Sequence, residues 1–198
     1  MTARIRKRLA REEGYSLVEL LTVCTIMVVI IGALTTLFVG ASKGELDMNR
    51  RFQAQENARL AIEKLRREIH CASAVSPSGS SSSITLTIPA QCPTAHGFTT
   101  IQWCVLAPPA AATGQYALYR STAATCTTAT GTKWADYLTA TSIFNYTAQS
   151  SQSLGNLAVA LVLNLRNDST QGTFKLSDNI VLRNSSRVCV VGSPVPPC

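Results

Sequence analysis

Histidine is scarce in this chain, which has two histidines among 198 residues. His70 and His96 lie far apart, and neither stands in a metal-ligand spacing such as H-E-x-x-H. Cys92, His96 and Cys104 match no common closed zinc site. Residues 40–44 spell G-x-S-x-G, but a nucleophile elbow needs a preceding strand, and here a helical pattern precedes the serine. The sequence therefore predicts no catalysis, no metal, no cofactor and no small-molecule substrate.

Net charge is also too small to indicate a nucleic-acid partner by itself. The formal charge is +7, and residues 1–14 hold five basic and two acidic residues, so they carry +3 and the rest of the chain +4. Basic residues between positions 50 and 67 interleave with acidic ones, which is typical of a solvated or packed face. DNA binding stays an alternative, based on aromatic residues that could stack on bases but are more typical of a β-domain core: Trp103, Tyr116, Tyr119, Trp134 and Tyr137.

The longest apolar run covers residues 15–40 and contains one carboxylate, Glu19. Its 26 residues would form about 39 Å of helix, against about 30 Å for the hydrocarbon core of a bilayer. Basic residues before the run keep that end in the cytoplasm and place the chain after Gly40 across the membrane. The sequence predicts a single-pass membrane protein with an extracytoplasmic C-terminal domain.

Glu19 is costly in this setting. Burying an ionised side chain in hydrocarbon costs at least ~2.5 kcal/mol, so such residues usually have a function and a partner. Cleavage after Gly14 would create an ammonium group at Tyr15, and the amine of a neighbouring copy could then meet the Glu19 carboxylate. At ~4 Å and an effective dielectric of ~20 that attraction is about 4 kcal/mol before desolvation is subtracted.

Residues 14–19, G-Y-S-L-V-E, follow a basic leader, and together they resemble the prepilin signal of type IV pilins and pseudopilins. The resemblance covers residues 4–40. It implies that a prepilin peptidase cleaves after Gly14, that Tyr15 is N-methylated, and that Glu19 is the assembly carboxylate. Tyr15 stands where Phe is more usual and keeps the aromatic ring. Subunits of this family pack by their apolar helices into a filament with other pilins or pseudopilins.

Two other interpretations of the N-terminus remain open. A conventional secretory signal has a shorter apolar core, but Val39 and Ala41 are small residues where a signal peptidase could cut after Ala41. The run could also be a plain anchor that keeps its leader.

The apolar run continues into a proline-free segment with helical periodicity, which predicts one helix over residues 16–71. Its second half is amphipathic, with an apolar stripe expected at Met48, Phe52, Ala58, Ile62, Leu65 and Ile69. Charged residues take the other positions: Arg50, Arg51, Glu56, Arg59, Glu63, Lys64, Arg66, Arg67 and Glu68.

Three glycines interrupt this helical pattern. Gly32, Gly40 and Gly44 each weaken a helix by ~1 kcal/mol relative to Ala, so a joint that bends or melts locally is open, and so are close packing and simple tolerance of glycine.

Short alternating or β-branched runs follow a Ser-rich loop predicted at residues 76–83. They predict strands at 84–88, 100–106, 116–120, 142–147, 157–165, 179–183 and 187–191. A long helix followed by antiparallel strands predicts an α+β fold with the helix packed on the sheet, as in pilins. The predicted divisions are a cytoplasmic leader (1–14), a membrane or filament-core helix (15–40), an amphipathic helix (41–71) and a β-rich ectodomain (72–198).

Cysteine usage agrees with an exported domain. Cys24 lies in the apolar run, and six cysteines follow it, which predicts a disulfide framework. Six cysteines allow 15 pairings, and among them Cys189 with Cys198 is the first pair to test. The disulfide candidates are Cys71, Cys92, Cys104, Cys126, Cys189 and Cys198.

Residues 55–69, residues 157–165 and residues 181–184 resemble the corresponding regions of W-type minor pilins and J-type pseudopilins. This resemblance implies a low-abundance subunit that helps start or cap a filament. The chain would sit in the inner or plasma membrane and then in a pilus or pseudopilus serving motility, adhesion, secretion or DNA uptake. The alternative is a membrane-anchored adhesin or DNA-uptake receptor that does not polymerise.

Overall fold

The computed structural model describes residues 15–93, 97–109, 113–150, 152–165 and 173–184. One helix, α1, spans Leu17–Cys71. Nine strands follow: β1 Ala74–Ser76, β2 Gly79–Ser81, β3 Ser83–Thr87, β4 Thr100–Leu106, β5 Tyr116–Ser121, β6 Thr132–Leu138, β7 Phe144–Thr147, β8 Asn156–Leu163 and β9 Phe174–Val181. By internal contacts the chain divides into residues 1–48 and residues 49–198, and these two units are described separately.

In the first unit, α1 is continuous through Gly32, Gly40 and Gly44, so the structure shows no melting at these positions. A Cβ added at any of the three would meet no atom within 4 Å. Close packing among the described residues therefore does not require glycine at any of them. The chain has no proline before Pro77, which lets the hydrogen-bonded ladder run without a break.

In the second unit, α1 buries one face, formed by Ala54, Ala58, Ala61, Ile62, Leu65, Glu68 and Ile69. Two predictions about this face were wrong. Phe52 was assigned to the apolar stripe but is 66% exposed, and Met48, in the first unit, is also exposed. Glu68 was assigned to the solvated face but is fully buried. Three alanines, Ala54, Ala58 and Ala61, start the buried face instead.

The strands form one antiparallel sheet whose main path is β1-β3-β4-β5-β6-β8-β7-β2. β9 pairs with β8 along its whole length, so β6 and β7 share the other edge of β8. The path begins at β1 and ends at β2, and only Pro77 and Ser78 separate these two strands. Three residue steps span at most about 11 Å, so the two ends of the sheet lie close together and the sheet is curled.

The concave side of the curled sheet and the buried face of α1 enclose one hydrophobic core. β8 shows the alternation most clearly, because its odd-numbered residues are buried and its even-numbered ones are partly exposed. The buried set is Leu157, Val159, Leu161 and Leu163. The predicted α+β fold, with a long N-terminal helix and an antiparallel sheet, is confirmed.

Most of the predicted strands in the described residues correspond to observed ones, β3, β4, β5, β7 and β8, with shifts of up to two residues at their ends. The prediction at 179–183 found only the end of β9, and β1 and β6 were missed. The loop predicted at 76–83 contains β2, so that prediction was wrong in part. The strand predicted at 187–191 lies outside the described residues.

The sequence did not predict β6 because its residues do not alternate regularly between buried and exposed positions. Its pairing with β5 shifts register between Tyr116 and Tyr119. Tyr137, near the end of β6, has a positive φ of 62°, which is unusual for a residue other than glycine. Lys133 and Asp136 also place charges in the strand and form an ion pair at 2.8 Å.

Candidate functional site

The most conspicuous surface of the molecule is the apolar helix of residues 17–40. Every residue of this segment is exposed, and no other described part of the chain covers it. By length and composition α1 is the one helix in the described residues that could cross a membrane. So large an unbroken apolar surface indicates contact with lipid or with other proteins.

The hydroxyl groups of this segment are satisfied within the helix. Its four threonines donate to backbone carbonyls three or four residues earlier, at 2.7–2.9 Å: Thr22 to Glu19, Thr25 to Thr22, Thr35 to Ile31 and Thr36 to Ala33. A donor that is bonded inside its own helix does not need water. The threonines are therefore compatible with a hydrocarbon environment.

Glu19 is different from these threonines. No hydrogen bond or ion pair joins its carboxylate to any other residue that the structure describes. Tyr15, four residues earlier, is 80% exposed. Gly14, the predicted cleavage position, lies outside the described residues. The structure thus places the carboxylate at the start of an exposed apolar helix, without a partner among the described residues.

The start of α1 also carries a capping signature around Glu19 that sequence reasoning missed, although no hydrogen bond joins the Glu19 carboxylate to the Ser16 N–H. The Leu20 N–H donates to the Ser16 carbonyl at 3.1 Å, so Ser16 occupies the N-cap position. Glu19 is then the third residue of the helix, and Ser-x-x-Glu is the sequence signature of a capping box. A carboxylate in the first turn also gains about 0.3–1 kcal/mol from the helix dipole. This local stabilisation must be separated experimentally from any contact between subunits.

Two disulfides brace the described part of the second unit. Cys71, the last residue of α1, bonds to Cys92, and Cys104 in β4 bonds to Cys126. Their Cα atoms lie 6.0 and 6.3 Å apart, within the usual range. Cys189 and Cys198, the pair proposed first, lie outside the described residues. Cys24 is free and exposed in the apolar segment.

The residues considered for catalysis have structural surroundings. Ser42 lies inside α1, so residues 40–44 do not form the strand-turn-helix of a nucleophile elbow. The His70 Nδ1 lies 3.1 Å from the Val181 carbonyl oxygen, which ties the end of α1 to β9. His96 is outside the described residues. Within those residues, no three His, Cys, Asp or Glu side chains gather where they could hold a metal ion.

Two of the aromatic residues considered for base stacking are buried. Trp103 is fully inaccessible, and its ring centroid lies 5.9 Å from that of the partly buried Trp134. Tyr119 is buried in a smaller cluster on the outer side of β4 and β5, beside the Cys104–Cys126 disulfide. Tyr116 and Tyr137 are partly buried against the main core. These rings pack within the protein instead of forming an exposed stacking surface.

Glu68 joins α1 to the sheet through a buried polar cluster that the sequence did not reveal. Its Oε1 accepts from Arg120 Nε of β5 at 2.8 Å and lies 3.3 Å from Lys64 Nζ, while its Oε2 accepts from the Trp103 indole N–H of β4 at 2.8 Å. Both carboxylate oxygens are therefore used, which makes burial of the charge tolerable. The sequence could have revealed this cluster only through a pattern that links Glu68 to Arg120, which lies 52 residues away.

Comparison of the chain with protein-family models, with curated proteins and with solved structures found no match. The fold and the exposed helix define a coarse class: an α+β domain following a helix that is long and apolar enough to cross a membrane. Any narrower assignment depends on residues 14–19 and on the surroundings of Glu19.

Proposed function

We propose that this chain is a structural subunit of a type IV pilus or of a type II secretion-like pseudopilus, most similar to a minor pilin or pseudopilin. Prepilin peptidase cleaves it after Gly14, and the new N-terminus at Tyr15 is methylated. The subunit waits in the inner or plasma membrane and then enters a filament with other pilins or pseudopilins. It catalyses no reaction.

A single observation carries this proposal: the exposed apolar helix has satisfied hydroxyl groups and one carboxylate without a partner among the described residues. If lipid alone surrounded the helix, the Glu19 charge would be costly. The N-terminal ammonium group of an adjacent subunit offsets that cost and sets the register between the two helices. The carboxylate then acts in assembly, and the apolar residues supply the packing area.

The main experiment compares Glu19→Gln with Glu19→Ala in the full chain. Glutamine keeps the size of the side chain and can still accept the hydrogen bonds of a capping box, but it carries no charge. We expect both variants to insert in the membrane and both to be missing from sheared filaments. Glu45→Gln is the matched control, because Glu45 lies on the same helix beyond the apolar run.

The two roles of Glu19 predict different patterns in this experiment. If capping were its only role, Glu19→Gln would enter filaments nearly as well as the unmodified chain, and the assembly role would be refuted. N-terminal sequencing of native protein is the second measurement, with Tyr15 expected first. A sequence starting at Met1, or one starting near Gly44, would favour the non-polymerising adhesin or receptor.

A further inference from the structure

One long edge of β9 is not paired with any described strand. Among the described strands β9 pairs with β8 alone, through eight successive residue pairs. The Leu182 N–H donates to the Gly155 carbonyl at 2.8 Å, and the residues that bond to the partner alternate along an antiparallel pair. The N–H groups of the even-numbered residues therefore point to β8. The N–H and C=O groups of the odd-numbered residues point away from β8, and they form what we call the outer edge.

The backbone of the outer edge is largely unused within the described residues. The Val181 carbonyl oxygen lies 3.1 Å from His70 Nδ1, which agrees with an outward direction for the odd-numbered residues. No other described residue makes a hydrogen bond to the backbone groups of Lys175, Ser177 and Asn179. Such groups need either water or another strand as a partner.

β9 also has few of the features that keep natural edge strands from pairing. Those features are short length, proline, a bulge and charged side chains. β9 is eight residues long, like β8, contains no proline, and pairs with β8 without a register shift. Its acidic residue, Asp178, binds Arg66 of α1, so Lys175 near the start of the strand is the one charge left. This strand is suited to pair on both sides.

The chain itself continues with a segment that could pair with the outer edge. Residues 187–191, R-V-C-V-V, are predicted as a strand and are called the tail strand below. Residues 184–186 before it, N-S-S, are typical of a turn. Residues 194–197 after it, P-V-P-P, end a strand because proline cannot donate to the ladder. Strands that follow each other in sequence are neighbours about two-thirds of the time.

The described chain leaves β9 on the side of the outer edge. The Asn184 side-chain amide donates to the Cys71 carbonyl at 3.0 Å. Cys71 follows His70, whose ring lies against the outward-facing Val181 carbonyl. The chain has therefore turned towards the outer edge by Asn184. A short strand that returns from this point can lie along β9 without crossing the sheet.

We propose that the tail strand pairs with the outer edge of β9 as an antiparallel hairpin within one chain. Val188 and Val190 then lie on the concave side with buried Ile180, and Arg187 lies on the convex side, because an arginine facing the core would be costly. The hairpin gives the backbone groups of Ser177 their missing partners. This inference concerns the second unit and is independent of the proposed function.

Amide hydrogen exchange of the full-length chain in detergent tests the hairpin residue by residue. We expect the N–H groups of Ser177 and Asn179 to exchange at least about 100-fold more slowly than in an unfolded chain. The N–H groups of Leu176 and Asp178 point to β8 and are the reference amides. Fast exchange of Ser177 and Asn179, with slow exchange of the reference amides, would show a free edge and overturn the proposal.

Two matched substitutions identify what protects the outer edge. Val190→Asp puts a charge on the concave side, so exchange of Ser177 and Asn179 should rise at least about ten-fold while the reference amides keep their rates. Val191→Asp makes the same change on the convex side and should alter all rates by less than about two-fold. Protection that survives Val190→Asp, or that falls equally in both variants, would overturn the proposal.

A shortened chain separates pairing within one chain from pairing between copies. An isotopically labelled chain that ends at Ser186 should lack protection at Ser177 and Asn179, even with unlabelled full-length chain in excess. If the added chain restores protection, the tail strand of a second copy covers the edge, and the intrachain hairpin is refuted. Protection in the shortened chain alone would refute it as well.

The reference amides show whether the shortened chain folds. If they are unprotected, dilution of the full-length chain replaces this measurement. Protection of Ser177 and Asn179 that is independent of concentration supports the intrachain hairpin. Protection that falls on dilution, while the reference amides stay protected, would contradict it.

Discussion

The two parts of α1 differ in how far their apolar side chains are exposed. Residues 17–40 expose every side chain, whereas residues 54–69 bury all their apolar side chains except that of Leu60 against the rest of the second unit. Their carboxylates differ in the same way: Glu19 in the first part has no partner among the described residues, whereas Glu68 in the second part has three. One part of the helix is therefore packed against its own chain, whereas the described residues supply neither cover for the apolar surface of the other part nor a partner for its charge.

The largest expected effect separates buried Glu68 from its exposed neighbour Glu63. Glu68→Ala leaves the Arg120 charge and the Trp103 N–H without their buried acceptor, which should cost about 3–5 kcal/mol of unfolding free energy. Urea denaturation followed by tryptophan fluorescence measures this loss. Glu63→Ala should change stability by less than about 0.5 kcal/mol. Equal effects of the two substitutions would show that the buried cluster does not hold α1 on the sheet.

The next prediction tests the same contrast with leucine. Leu65 is fully buried and Leu34 is 60% exposed, although both lie on α1. Leu65→Ala should lower the unfolding free energy by about 2–5 kcal/mol, because it opens a cavity in the core. Leu34→Ala should leave that free energy unchanged in detergent and reduce only assembly or membrane contacts. A clear loss of ectodomain stability from Leu34→Ala would contradict the division between the two parts.

Two glycine-to-alanine substitutions should have smaller effects on stability, and these effects should have opposite signs. A Cβ at Gly131 would lie 2.9 Å from the Thr127 carbonyl oxygen and 3.0 Å from the Tyr119 Cβ. Gly131→Ala should therefore destabilise the domain by about 1–3 kcal/mol. Gly44→Ala meets nothing within 4 Å and should raise helix stability by about 1 kcal/mol. Thermal unfolding followed by circular dichroism would reveal both, and a stabilising Gly131→Ala would be inconsistent with this packing.

The smallest expected effect lies at the surface of β6. A hydrogen bond from Lys133 to Asp136 raises the pKa of the lysine, and the nearby carboxylate adds to the effect. Because the folded-state pKa is raised, the pair stabilises the fold below the unfolded value of about 10.4, and this contribution is lost as pH rises through the folded value.

Both side chains are partly solvated, so the contribution is at most about 1 kcal/mol. Asp136→Asn should shift the urea midpoint slightly at pH 7 and not above the titration of Lys133. A difference that persisted unchanged in alkaline solution would remove this explanation.

Much of the local structure follows from short-range patterns. The apolar run, the absence of proline before Pro77 and the alternation in residues such as 157–163 predicted α1 and most strands. These signals depend on neighbours within one or two turns or along one strand, so they are legible in the sequence. β6 and the first part of β9 were missed because charges and irregular pairing obscure the alternation.

The features of the candidate site divide in the same way, into those that the sequence shows and those that only the tertiary structure shows. The sequence alone determined that Glu19 interrupts an apolar run, and the resemblance of residues 14–19 to a prepilin signal stays a prediction. Tertiary structure decided that Cys71 pairs with Cys92, that Glu68 is buried with Arg120, and that Phe52 faces outward. These outcomes depend on which segments, distant in the sequence, the curled sheet brings together. A local pattern of residues does not show which distant residues will be neighbours in space.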